Sequence, residues 1–371
     1  MTYLDYQATT PMAPEVLEAM LPWLRDGFAN PHSAHAAGRR ARAAVEVARE
    51  QIAALLPPGG RVSFTSGATE ALNWAIRGAG GDVLTFATEH AAVLDCARPV
   101  RAAGRDFTVL PVAADGRAEM EALETALTPQ TGLVAAMLVN NEIGVIHPVA
   151  ALAERARQAG ALMLCDAVQG FGRVAIPDGC DLIALSAHKI YGPKGVGALW
   201  VRDGVTLDPL LYGGGQEAAG RSGTLSPALC AGFGIAAKLM AERTEEDDAH
   251  VARLFDAALA RLGDGWTVNG SVAHRYRGNL NLRRDGLDVA RLMSDLRDIA
   301  FSAGSACASG SGRASHVLRA IGMSEGEARS SIRIGFGRYT GEAELIEALD
   351  RINRAAQEQG FASTGVGEYR S

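Results

Sequence analysis

Within this 371-residue chain, the side chains best suited to covalent chemistry gather in residues 181–195. An apolar run short enough for a buried strand, 182–185, ends in Ser186, His188 and Lys189, and the chain then breaks at Gly192-Pro193 and Gly195. Lysine occurs only at 189, 194 and 238, although the chain carries 36 lysines plus arginines. Positive charge is otherwise written as arginine, so two of three lysines at one strand exit point to a task arginine cannot perform. Lysine can shed its proton and condense with a carbonyl.

Such a lysine needs a scaffold, and the pattern around it supplies one. Pro14 suits the first turn of a helix to about Asp26, and a second Ala- and Arg-rich helix ends near Leu56 before Pro57-Pro58-Gly59-Gly60. Apolar strands near 61–65, 82–87, 107–111, 131–139, 161–165, 181–185 and 196–201 then alternate with helical segments near 69–78, 91–103, 118–127 and 148–159. That rhythm implies a mostly parallel sheet covered on both faces. Ligands of such sheets bind beyond the carboxyl ends of the strands. Just past those ends lie Ser66-Gly67-Ala68-Thr69-Glu70, Thr88-Glu89-His90, Asn140-Asn141-Glu142, Asp166-Ala167-Val168-Gln169 and the Ser186, His188, Lys189 group. Five strand exits carry polar groups able to face one cleft.

Composition narrows the class. The 48% hydrophobic and 21% charged content with a net charge of -6 describe a globular protein, and nothing suggests a nucleic-acid or membrane partner. No GxGxxG fingerprint or nucleoside-triphosphate loop is present. The start of the chain lacks a basic-then-apolar leader, so a cytoplasmic location is the expectation. Five scattered cysteines lack the close pairs of a zinc site or disulfide framework, so no metal is expected. Cys96, Cys165 and Cys230 sit among apolar neighbours as core residues, Cys180 between Asp178 and Asp181 reads as a loop cysteine, and Cys307 stands apart.

A helix-start phosphate cradle, a carboxylate, an imidazole and a Schiff-base lysine are together what pyridoxal 5'-phosphate requires. The sequence also resembles the cysteine desulfurases, class V aminotransferase-like members of the fold-type-I pyridoxal-phosphate enzymes. The likeness runs from Tyr3-Leu4-Asp5 and Thr9-Thr10-Pro11 through the five strand-exit motifs to Arg221-Ser222-Gly223-Thr224, Gly304-Ser305-Ala306-Cys307 and Ser331-Ile332-Arg333. It implies that Lys189 holds the cofactor and shuttles protons, that Asp166 pairs with the ring nitrogen, and that His90 stacks on the ring. Gln169 and Asn141 would reach the ring oxygen and the bound substrate, and Ala68, Thr69, Ser186 and His188 would hold the phosphate. Thr224 would join them from the neighbouring subunit of a homodimer. Arg333 would bind the substrate carboxylate, with Asn30 near the substrate pocket.

The expected architecture is α/β, with a large cofactor domain over 14–245. A smaller α+β domain, built from 1–13 and 246–371, carries the cysteine loop at about 301–313. The acidic run 242–248 reads as a solvated face near the division. The loop itself is nearly all small residues, with glycines at 304, 310 and 312. By the resemblance, L-cysteine is the substrate and Cys307 takes its sulfur as a persulfide. The acceptor would be a partner protein such as an iron–sulfur scaffold, for cluster assembly or transfer RNA thiolation. The chain ends at Ser371, short of the tail through which some relatives dock such a scaffold. Selenocysteine lyase and another enzyme of the same class stay open as alternatives.

Overall fold

The computed structural model describes residues 1–217, 220–304 and 314–364. Its centre is a seven-stranded sheet of β1 (Gly60–Thr65), β2 (Asp82–Phe86), β3 (Phe107–Leu110), β4 (Thr131–Met137), β5 (Leu162–Asp166), β6 (Leu182–Ser186) and β7 (Gly197–Arg202). In space the order is β1-β7-β6-β5-β4-β2-β3, and β7 runs antiparallel to both of its neighbours while the other pairings are parallel. The strand expectations are met, and β4 ends two residues early because the chain turns at Asn140.

Strand side chains alternate between two apolar layers, as the period of two demands. Val83, Leu133, Leu164, Leu182 and Leu199 pack with helix α1 (Ala68–Gly78), whereas Leu84, Val134, Met163, Ile183 and Ala198 belong to the opposite core. That second face is covered by helices Pro14–Arg25 and Ala36–Ala53 and by the 35-residue α2 (Pro227–Arg261). Small residues let these helices approach closely: a Cβ at Gly234 would lie 2.6 Å from Ala48 Cα, and one at Gly232 would lie 2.7 Å from Met20 Sδ. Pro227 and the Ser226 hydroxyl, which accepts from Leu229 N–H, start α2.

α2 continues without a break through residue 245. Beyond it a four-stranded sheet contains Thr267–Val268, Asn279–Arg283, Ser302–Ala303 and β8 (Ser331–Gly335), and helix Glu342–Thr364 follows. The N-terminal arm joins this part, because Thr2–Tyr3 pairs in parallel with Ile299–Ala300 and Asp5 bridges Gly335. One expectation is corrected here. The acidic run is not wholly solvated, since Asp247 is buried against Arg338 at 2.6 Å. Cys180 lies in a loop, as expected, and is fully buried there beside Cys165.

His147, after β4, is 3% exposed; its Nδ1 accepts from Ala118 N–H at 3.1 Å, and its Nε2 has no partner. Burial, with Arg117 nearby, pushes its pKa from 6.5 down to about 4. The folded state therefore holds it neutral while the unfolded chain protonates it, so stability drains away as pH falls from about 6.5 and the loss is complete below about 4. For that shift the linkage is at most about 3 kcal/mol. We expect the cofactor-free His147→Gln protein to gain stability relative to the wild type by up to that amount between pH 7 and pH 4, read from urea midpoints.

Candidate functional site

Strand ends β4, β5 and β6 open with α1 onto one cavity of about 520 Å³, and most of the polar exits read from the sequence converge on it. Its walls carry Ala68, Thr69, His90, Asn141, Asp166, Gln169, Ser186, His188, Lys189 and Arg333. Asn30 and Thr224 are exposed and lie outside this wall. Cys307 lies outside the described residues, as does the rest of 305–313.

Lys189 sits in the single tight turn Ala187–Lys189 that follows β6. Its Nζ donates to the carbonyls of Gln7 at 2.6 Å and Ala8 at 2.9 Å, and its own carbonyl accepts from Arg173 at 2.6 Å. The turn is tied to the arm, since Thr10 N–H and Oγ1 both donate to His188 O at 2.9 Å. Thr9 Oγ1 meets His188 Nδ1 at 3.1 Å. Burial, with Lys189 and Lys194 alongside, pushes the His188 pKa down to about 4, so the imidazole is neutral and can donate to an anion.

Asp166 closes β5, opposite Met137 of β4 and Ala184 of β6, and its Oδ1 accepts from Val168 N–H at 3.0 Å. Burial raises its pKa, opposed by His90 and Lys189. A carboxyl held this way ionises readily only beside a cation. His90 caps the short helix Ala91–Leu94, accepting from Ala92 N–H through Nδ1 at 3.0 Å, which leaves the proton of the neutral ring on Nε2. Burial lowers its pKa despite Asp166, so the neutral form prevails.

At the start of α1, Gly67 is the N-cap residue, no side chain caps the helix, and Gly67, Ala68 and Thr69 line the cavity, so the helix start offers its first N–H groups to an anion there. Glu70 accepts from Ser66 N–H at 2.7 Å and pairs with Arg221 at 2.8 Å, which braces the turn and neutralises the carboxylate. Arg333, from β8, is 1% exposed; Nη2 meets Asp5 at 2.6 Å, Nη1 donates to Asn141 O at 3.1 Å, and Nε has no partner. Gln169 donates to Gln7 O at 3.0 Å and leaves Oε1 unpartnered.

These groups fit pyridoxal 5'-phosphate. Uncapped amides with Thr69, Ser186 and His188 suit a phosphate dianion, the buried Asp166 suits a protonated ring nitrogen, and Lys189 is the one amine on a strand-exit turn. Among the described residues no group of histidine, cysteine or acidic side chains is arranged to hold a metal ion. Sequence reasoning assigned no role to Gln7 and Ala8 of the arm, which complete the wall beside Lys189, or to Asp5, whose carboxylate pairs with Arg333; the carbonyls of Gln7 and Ala8 leave no residue signature to find.

The aminotransferase class-V family model matches residues 2–349. The chain is 43% identical over 368 residues to the cysteine desulfurase IscS of Rickettsia rickettsii (strain Iowa), covering 94% of this chain and 90% of that protein. Among solved structures, a NifS-like protein superposes with a TM-score of 0.89 at 30% identity, covering 96% of this chain and 99% of its own. SspA in complex with cysteine superposes at 0.82 with 35% identity, covering 92% and 100%. Likeness of this extent, in sequence and in backbone alike, makes the chain a member of the cysteine desulfurase family within the class-V aminotransferases.

Proposed function

We propose that the protein is a cysteine desulfurase that binds L-cysteine, releases L-alanine and passes the sulfur on as a Cys307 persulfide. The observation that carries this reading is the shared cavity of Lys189, Asp166, the uncapped α1 start and Arg333. Pyridoxal 5'-phosphate, held there, supplies an electron sink for the carbon bonded to the substrate amine. Arg333 offers a buried guanidinium to the substrate carboxylate. Lys189 would hold the cofactor and would be placed to take and return the α proton, while His90, in the same cavity wall, keeps its ring proton on Nε2. The C–S bond of cysteine breaks and an S–S bond forms on Cys307; of the two thiol hydrogens, one ends on the alanine methyl and one on the persulfide. A protein such as an iron–sulfur scaffold would accept that sulfur.

A homodimer belongs to the same proposal. Support comes from Asn30 and Thr224, which are exposed and do not line the cavity of their own chain, and from the exposed apolar side chains of Leu24, Phe28 and Tyr212. SspA is known in complex with cysteine, which favours the substrate. Incubating the cofactor-loaded protein with L-cysteine should yield one alanine per sulfur delivered and a mass gain of one sulfur on the peptide bearing Cys307. Alanine without that gain, or no alanine, overturns the reading. No helix among the described residues is long and apolar enough to cross a membrane.

A further inference from the structure

Tyr191, two residues after Lys189, is the one non-glycine residue among those described with positive φ, at 66°. A bulky side chain is disfavoured there, and such conformations persist where surrounding contacts over-determine them. Two segments do so directly, and a third acts through one of them. From the arm, Thr10 Oγ1 accepts from Tyr191 N–H at 2.7 Å while donating to His188 O, and Ala13 N–H donates to Tyr191 O at 2.9 Å. From the chain after β8, Arg338 N–H donates to the Tyr191 hydroxyl at 2.9 Å, and its guanidinium lies 4.3 Å above the ring. From α2, Asp247 grips the same guanidinium at 2.6 and 3.0 Å. Gly337 permits the approach, since a Cβ there would lie 2.6 Å from the Tyr191 hydroxyl.

The two ends of this contact matter. Tyr191 belongs to the turn that presents Lys189, and Arg338 follows the strand that presents Arg333. An amino-acid substrate must reach both places at once, amine toward Lys189 and carboxylate toward Arg333. We propose that Tyr191, Arg338 and Asp247 form a clasp that sets the distance between Lys189 and Arg333, and so are positioning residues for amino-acid substrates. This rests on the roles proposed for Lys189 and Arg333. Neither Arg338 nor Asp247 lines the cavity, so the effect travels through Tyr191.

The test uses cofactor-loaded protein and two amines: L-alanine, which has a carboxylate, and ethylamine, which lacks one. Affinity for each is read from the absorbance change as it displaces Lys189. Because an ångström-scale misplacement of one anchor is costly, Arg338→Met should weaken L-alanine about tenfold and ethylamine less than about twofold. Asp247→Asn, which leaves the arginine over the ring, should shift the ratio the same way by about threefold. Melting of the cofactor-free proteins controls for general loosening, which would weaken both amines alike. Should Arg338→Met fail to fold, Asp247→Asn decides. An unchanged L-alanine to ethylamine ratio in a variant that binds cofactor overturns the clasp while leaving the proposed function intact. If the wild-type protein forms no link to the cofactor at Lys189, the function falls and the clasp falls with it.

Discussion

Replacing Lys189 with alanine should abolish turnover of L-cysteine, a loss of more than about 10⁴-fold, because one side chain supplies both the covalent anchor and the proton carrier. Borohydride reduction of cofactor-loaded wild-type protein should fix the cofactor on the peptide containing residue 189, and the variant should show no such adduct. Lys189→Arg is the sharper control. Arginine keeps the positive charge and reaches a similar distance, yet it does not deprotonate in proteins and forms no such link. Equal loss in both variants therefore assigns the effect to the amine rather than to charge. Lys194 also lines the cavity, but it stands on the Gly-Pro turn beyond Tyr191 rather than on the β6 exit. Lys194→Ala should retain the adduct at 189. If borohydride instead marks residue 194, the assignment of the two lysines is reversed.

The sheet and most of the cavity wall were legible because both depend on local signals. Strands such as 182–186 are short apolar runs with punctuation at each end, and the polar residues that matter follow the last strand position directly. What escaped was set by partners distant in sequence. Asp247 looks solvated in its acidic neighbourhood and is buried only because Arg338, 91 residues later, folds over it. Gln7 and Ala8 hold the lysine amine through carbonyls, and nothing in their side chains announces that. Asn30 and Thr224, to which the resemblance gives site roles, do not line the cavity of a single chain, and the proposed homodimer is what would bring them to one. Tyr191 shows the limit most plainly: its neighbour Gly192 is the residue type that tolerates positive φ, yet the tyrosine adopts it under contacts from two segments distant in sequence.

Cys307→Ser should leave cofactor binding and L-cysteine binding as in the wild type while alanine release falls below about 1% and no sulfur appears on the loop peptide, since a hydroxyl cannot replace a thiolate as a nucleophile toward sulfur. The described residues on either side of 305–313 are held beside this cavity. Gly304 N–H donates to Ser331 O, on the strand of Arg333, at 3.0 Å. On the returning side the Ser315 hydroxyl bonds the buried Glu142 carboxylate beside Asn141, and His316 Nε2 meets Glu89 O, next to His90, at 2.9 Å. Both ends of the segment are thus fastened to residues adjoining the proposed substrate contacts. Glu142→Gln, which weakens one fastening without touching substrate, should slow sulfur transfer by about tenfold while leaving L-alanine affinity unchanged. An aminotransferase on this fold has no use for the thiol, and its turnover would survive Cys307→Ser. Full-rate alanine release from that variant would therefore reassign the reaction while leaving Lys189, Asp166 and the phosphate cradle in their places.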